Sequence, residues 1–410
     1  MGGSEAEGFP ATRAEALRRL ARVDPRAYAA SRNRLDGAVT GLSPWLTHGL
    51  VSLPEAAAVI SQRHPLSTRD KLVAEFGWRE FFQQVATHAG DAILADMRPT
   101  LPWSGRYASA VPADVREARC GVGAIDAAVR TLYATGYLHN HARLWLASYL
   151  VHVRKVHWRA GADWLWAHLL DGDLASNHLS WQWVAGSFSA KPYLFNAENV
   201  ARFAPAGDAA WDCTGTVVDT DYEALEALAR GGGDAGPEPG ASALEAAPEP
   251  ALYAVPPESD PSAPGPLTRG LAPPDPARWA GRTLELVHPW ACAQSVEPGA
   301  WRLGVVHLPA HAAWPWSPAR WRFVMAALSA QCDAVWVGEL RALPGLDAAA
   351  RVVAHECLFP GYRPALEAAG ARLAPLPRLF HWPQAAARSF SQFWNHAASK
   401  GMRLPAGVAS

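Results

Sequence analysis

Sulfur ligands are scarce in this sequence. Its 410 residues include five cysteines (Cys120, Cys213, Cys292, Cys332 and Cys357), and no two of them form a CxxC pair. That scatter argues against a disulfide framework, a zinc knuckle or an iron–sulfur cluster. It suits thiols kept reduced, so a cytoplasmic chain without a metal is expected. Long apolar runs are missing too, since none reaches the roughly 18 residues of a membrane span. The opening MGGSEAEGFPATRAEAL has no apolar core, so no secretory signal is expected. Net charge is nearly absent, at −1 over the chain, and gives no overall mark of a nucleic-acid binder. The charge is uneven, however. Residues 1–215 hold 22 basic against 20 acidic side chains, 216–280 hold 3 against 11, and 281–410 hold 12 against 7. An acidic middle therefore offsets two mildly basic ends.

What is abundant is apolar bulk: 50% of the residues are hydrophobic and 19 are tryptophan. That is enough for two domains with their own cores. The tryptophans could fill those cores, stack on a flat ligand or base, or pass electrons, and composition alone does not decide. From Thr12 to about Leu228 the patterns are helical. Ser52-Leu-Pro-Glu55 is a capping box with proline in the first turn. Ser67-Thr-Arg-Asp70 opens a second helix that runs to a glycine stop at Gly90. Apolar residues recur at helical spacing over 125–135, 139–157 and 162–170. Residues 231–280 hold a dozen prolines and most of the acidic excess, which predicts a disordered linker. From Arg282, short apolar runs (LELVHPW, RLGVVHLP, DAVWVGEL, ARVVAHECL) alternate with helical patterns. That alternation predicts a small α/β domain with a mostly parallel sheet. Its strand ends carry no glycine-rich phosphate fingerprint, and the nearby His288, His307, His311 and His355 show no liganding spacing. The expected organisation is mainly α: a helical domain over 1–230, a linker over 231–280 and an α/β domain of unassigned role over 281–410.

Three segments carry candidate chemistry. Gly37-Ala-Val-Thr-Gly-Leu-Ser43-Pro-Trp-Leu could present backbone N–H and hydroxyl groups to a phosphate, although a turn followed by a helix cap explains it equally well. Glu75, Trp78, Arg79 and Phe82 share one helix face, a stripe suited either to a base or cofactor or to an internal ion pair. The most specific is Tyr137-Leu-His-Asn-His-Ala-Arg-Leu, then Trp158, then Asp171-Gly-Asp-Leu-Ala-Ser-Asn-His-Leu-Ser-Trp-Gln-Trp183. Two carboxylates, an amide and two indoles within one short segment are costly to bury unless something polar is bound. Asp173 could still be a simple helix cap, and His139 and His141 core histidines.

Together these segments resemble, in order, the FAD-binding helical domain of the photolyase/cryptochrome family. That family shows a Thr-Ser-x-Leu-Ser-Pro loop, a Trp-Arg-Glu-Phe helix, a Gly-Trp-Met-His-Asn-Arg segment and an Asp-Gly-Asp-x-Ala-x-Asn…Trp-Gln-Trp segment. The likeness covers about Tyr28 to Pro205. It implies FAD as cofactor, gripped in a helical pocket. Tyr28, Thr40, Gly41, Leu42 and Ser43 would lie at its phosphates and ribose, and Arg79 close by. Arg143 and Asp171 would form an ion pair beside the isoalloxazine ring. Asp173 would lie on the adenine or ribose side, and Asn177 would face flavin N5, where an amide resembles the repair enzymes. Glu75, Trp78, Asn140 and Trp183 would take up a pyrimidine dimer flipped out of DNA, a manoeuvre for which photolyases are a general example. Trp181 and Trp158 would begin an electron-transfer chain whose outer member is Trp103 or Tyr107. The implied activity is light-driven repair of cyclobutane pyrimidine dimers. The alternative is a blue-light sensor of cryptochrome type with the C-terminal domain as output.

The chain also departs from the family pattern. Val39 replaces a hydroxyl residue, Tyr137 a tryptophan, His141 an arginine and Leu144 a methionine, and Arg-Cys120-Gly-Val-Gly replaces a Thr-Gly-x-Pro turn. Asn140 stands where enzymes for the (6-4) photoproduct carry a second histidine, which favours cyclobutane dimers. The family's N-terminal α/β domain is not ahead of the FAD-type segments, so no antenna chromophore is expected. A monomer that acts on dimer-containing DNA away from membranes completes the expectation.

Overall fold

The computed structural model describes residues 8–99, 101–257 and 274–405. They fall into two compact units: residues 1–25, 40–88 and 251–410, and residues 26–39 and 89–250. The segments up to position 88 therefore group with the α/β region, not with the rest of the expected 1–230 domain.

The first unit is built on a sheet of β1 (Thr283–Val287), β2 (Trp301–His307), β3 (Ala334–Gly338), β4 (Arg351–His355) and β5 (Ala371–Ala374). All neighbours are parallel, in the order β3-β2-β1-β4-β5. Parallel strands need crossovers, and the helices Pro318–Gln331 and Tyr362–Ala368 lie in two of them. The central strands read as continuous apolar runs because both faces are covered: Leu284, Leu286, Leu303, Val305, Val306, Val353 and Ala354 are all buried. The sequence pattern foretold β1 to β4, while β5 (ARLA) is too short to show one. In the same unit Ser52 caps the helix Leu53–Ser61 by accepting from the Glu55 N–H. The 48–49 corner docks on the loop after β1: the Cys292 and Ala293 N–H groups donate to the His48 and Gly49 carbonyls. Gly49 has φ +60°, and a Cβ there would lie 2.8 Å from the Trp290 carbonyl oxygen and Ala291 Cα. Glycine is thus required by conformation and by space.

A C-terminal strap, which the sequence reading did not foresee, joins the α/β chain to the helix Lys71–Ala89. Buried Glu80 accepts from the Leu379 and Phe380 N–H groups and from Trp382 Nε1. Gln84 donates to the Ala385 carbonyl and accepts from the Ala387 N–H. The helix Phe390–Lys400 follows, and its Trp394 ring presses on Gly77 so closely that a Cβ there would sit 2.3 Å from it.

The second unit is helical: Gly123–Thr135, Asn140–Ser148, Trp158–His168 and Leu174–Ala185 pack around Ile125, Leu132, Trp145, Leu150 and Leu165. The continuous helix expected over 139–157 ends early. It opens into a π-helical turn at Tyr149–Val153, and Lys155 takes φ +49°. The Lys155 ammonium is drawn in to donate to the Leu228 and Ala229 carbonyls.

Residues 231–250 of the expected linker lie on this helical unit. Arg154 pairs with Asp234, the Glu238 N–H donates to the Cys120 carbonyl, and Glu249 receives Arg116 and Trp164. Two of the acidic residues that suggested disorder, Asp234 and Glu249, find basic partners. Tyr253 forms an isolated antiparallel bridge with Trp316 in the first unit, and residues 258–273 lie outside the described residues. Among the described residues no helix is long and apolar enough to cross a membrane, and no cluster of metal-ligating side chains occurs.

Two outcomes follow for the strap. Gly77→Ala should cost about 1–3 kcal/mol by overpacking against Trp394. Urea denaturation checks this, and an unchanged midpoint would contradict the close contact. Burial, the dominant influence, pushes the Glu80 carboxyl up from 4.5 to about 7 against the pull of its three donors. The folded state then holds a proton that the unfolded chain releases. Stability should therefore fall as pH rises from about 4.5 to 7, and Glu80→Gln should flatten that slope in the same assay.

Candidate functional site

The candidate residues divide between the two units. In the first, Thr40, Gly41, Leu42 and Ser43 form a turn into the short helix Ser43–Thr47, with the Leu42 N–H donating to Thr40 Oγ1. Leu42 is buried, so only its backbone can serve a ligand. Gly41 has φ +58°, and the Arg19 guanidinium lies 3.0 Å from where a Cβ would be. Arg19 stands over the Phe9 and Trp45 rings, and no sequence spacing pointed to it as a cation beside this turn. Arg79 donates to Thr47 Oγ1 at 3.3 Å. Glu75 is exposed. Trp78 is half-buried with its ring stacked on Phe390.

In the second unit, Tyr28 lies on the helix Pro25–Ser31 and is half-buried. His139 accepts from the His141 N–H through Nδ1 and bonds the Arg32 carbonyl through Nε2. Burial lowers its pKa to about 4, so it is neutral with the proton on Nε2. It caps the helix that starts at Asn140, which is exposed. One turn on, Arg143 donates from Nη2 to both Asp171 oxygens, at 3.0 and 2.7 Å, and from Nε to the Leu138 carbonyl. The Asp171 side chain is only 3% exposed. The guanidinium also lies 5.5 Å from the Tyr137 ring, so the tyrosine that replaces the usual tryptophan still supplies an aromatic face.

Asp173 caps the helix Leu174–Ala185 by accepting from the Ser176 N–H, so the simple capping reading holds for at least part of its chemistry. Asn177 Nδ2 donates to the Ala162 carbonyl at 2.9 Å, which settles how the amide points. Beside it, the buried Ser176 Oγ has no hydrogen-bond partner among the described residues. An ion pair, a fixed amide and an enclosed, unbonded hydroxyl on adjoining turns form a donor and acceptor set that fits a large polar cofactor better than a closed core.

Trp181 is buried, and its ring lies where a side chain on Gly161 would be, 2.3 Å from that Cβ position. Trp158 is fully buried and donates from Nε1 to Asp96 at 2.5 Å. The route outward from Trp158 runs through His157 (5.6 Å), Tyr107 (6.2 Å) and Trp103 (5.0 Å), measured between successive ring centroids. Tyr107 thus lies between Trp158 and Trp103. Lys155, its pKa lowered by burial to about 8, places its ammonium 5.7 Å from the Trp103 ring. Trp183 is half-buried beside Tyr193.

Removing the arginine of the ion pair would leave a buried carboxylate unmatched. Arg143→Met should cost about 2–4 kcal/mol, and adding Asp171→Leu should recover part of it. Denaturant midpoints of the single and double variants check this, and equal midpoints for Arg143→Met and the parent would contradict the pairing.

Residues 72–213 match the family described as the FAD binding domain of DNA photolyase. Over 213 residues the chain is 33% identical to a deoxyribodipyrimidine photo-lyase of Synechococcus, covering 48% of this chain and 44% of that protein. It is 38% identical over 154 residues to one of Streptomyces griseus, covering 37% and 32%. It is 32% identical over 189 residues to a cryptochrome DASH of Ostreococcus tauri, covering 44% and 35%. The chain thus spans less than half the length of these relatives. Through residues 72–213, which hold the Arg143–Asp171 pair and the Asp-Gly-Asp to Trp-Gln-Trp segment, the chain is similar to the FAD binding domain of DNA photolyase.

Proposed function

We propose that the chain binds FAD and, under blue light, splits cyclobutane pyrimidine dimers in DNA, acting as a monomer. The observation that carries this reading is the segment from Asp171 to Trp183, in which a paired carboxylate just ahead of a helix is followed by a fixed amide and a buried indole along it. The match of residues 72–213 to the FAD binding domain of DNA photolyase and relatives named deoxyribodipyrimidine photo-lyase support the activity. In the first unit, Thr40, Gly41, Leu42 and Ser43 would hold the cofactor's phosphates, with Arg79 nearby and Arg19 adding positive charge. In the second, Tyr28 and Asp173 would contact the phosphate, ribose and adenine parts. Arg143 and Asp171 would sit beside the ring system, with the Asn177 amide at its reactive edge. When bound and reduced, FAD would supply the electron that light releases. Keeping an amide at Asn177 denies that edge a side-chain acid. Trp181 and Trp158 would form the inner part of an aromatic path and Trp103 its outer end, with Tyr107 between.

For the lesion, the Trp78 and Trp183 indoles would stack on the flipped dimer. Asn140 would hydrogen-bond it, and Glu75 would stabilise its carbonyls. No antenna chromophore is proposed. Open α/β sheets take ligands beyond the carboxyl ends of their strands, where the order reverses. Here, beyond β1 and β4, the fully buried His288 bonds the His355 carbonyl at the end of β4.

The test is illumination of the reduced, FAD-loaded protein with an oligonucleotide carrying one thymine dimer. The expected result is loss of the dimer in light and none in darkness. FAD binding without dimer loss would favour the sensor reading, which the cryptochrome relative keeps in view.

A further inference from the structure

The strap along the helix Lys71–Ala89 ends in a stack of rings on Trp78. Phe390 lies 3.9 Å from the Trp78 indole between centroids, with the planes 7° apart. Trp394 continues the stack at 5.6 Å and 18°, and Phe380 meets Trp394 edge-on at 5.4 Å. The base of the stack is fixed. Trp394 is wedged on Gly77, Phe393 is fully buried against Phe81, and the backbone at 379–380 is held by Glu80. Trp78 and Phe390 themselves are half-buried. Among the described residues, this near-parallel contact is the closest ring pairing of the Trp78 indole. Phe81 and Phe82 meet it at 5.7 and 5.5 Å with the planes 77° and 40° apart.

We propose that Phe390 is a positioning residue for the lesion. Held by the strap, it fixes the Trp78 indole in the plane in which a flipped pyrimidine dimer is to stack. The inference rests on the reading of Trp78 as a lesion contact. It gives the C-terminal part of the chain a definite task, one that no spacing in the sequence announced. An indole on an exposed helix face can occupy several rotamers, and binding must then select one. A ring already stacked on one face removes that cost before the lesion arrives. The energy of one aromatic pair corresponds to a change of about three- to tenfold in affinity.

The experiment uses the full chain loaded with FAD. Its binding to a thymine-dimer oligonucleotide is compared with binding to the undamaged oligonucleotide of the same sequence. Phe390→Leu should weaken lesion binding about three- to tenfold, leave undamaged DNA and bound FAD unaffected, and be rescued by Phe390→Tyr. Because Phe390 acts through Trp78, adding Phe390→Leu to Trp78→Ala should bring no further loss. Because Phe390 is half-buried, leucine is tolerated there, and retained FAD absorbance verifies this. Additive losses in the double variant, unchanged lesion binding by Phe390→Leu, or tighter binding by it would each overturn the proposal. If Trp78→Ala itself holds the lesion as well as the parent does, the lesion-contact reading of Trp78 fails first, and the inference falls with it.

Discussion

A carboxylate cut off from water must be matched by a cation or by several donors, and Asp171 is matched by Arg143. Much of the helical unit's candidate chemistry is arranged around that pairing. Arg143 reaches Asp171 from the helix Asn140–Ser148, whose start is set by a neutral His139 anchored on the Arg32 carbonyl. Asp171 in turn precedes Asp173, the cap that launches the helix carrying Asn177, Trp181 and Trp183. One ion pair thus ties the register of two helices together and fixes where an amide and two indoles project. Burying so many polar groups in one region gains little for stability alone, which is why a bound cofactor is the economical explanation.

The α/β unit works by a different constraint. Its sheet is an ordinary parallel one, but its chain continues past β5 into a strap that runs back along the helix Lys71–Ala89. Glu80 and Gln84 satisfy the strap's backbone, and Gly77 gives up its side chain to admit Trp394. The helix that carries Glu75, Trp78 and Arg79 is therefore shaped by residues about 300 positions downstream. An α/β region whose strand ends are closed by histidine and aromatic side chains can still act on the proposed site, through the tail it supplies.

Local features were legible in the sequence. Ser52 and Asp173 cap helices as their spacing implies, four of five strands follow apolar runs, and the Asp171–Trp183 segment carries the family resemblance almost unaided. Long-range features were not. Nothing near Glu80 signals a partner at 379–382, and nothing near Gly77 signals the Trp394 ring. Arg19 beside Gly41 is equally silent, because a guanidinium reaching another turn leaves no periodic trace. Residues 231–250 of the acidic, proline-rich stretch lie on the helical unit for a physical reason. Composition records charge but not whether a complementary charge waits elsewhere, and Asp234 and Glu249 find Arg154 and Arg116. The helix expected through 157 gives way to a π-helical turn at Tyr149–Val153, and beyond it the Lys155 side chain donates to carbonyls at 228–229, another distant contact.

All of this converges on whether the helical segment holds a flavin. The most direct measurement is the absorption spectrum of the gently purified chain, with released cofactor quantified against protein. The account predicts a flavin spectrum with one FAD per chain, bleached by blue light in the presence of an electron donor. A colourless protein that stays colourless when FAD is added would contradict it.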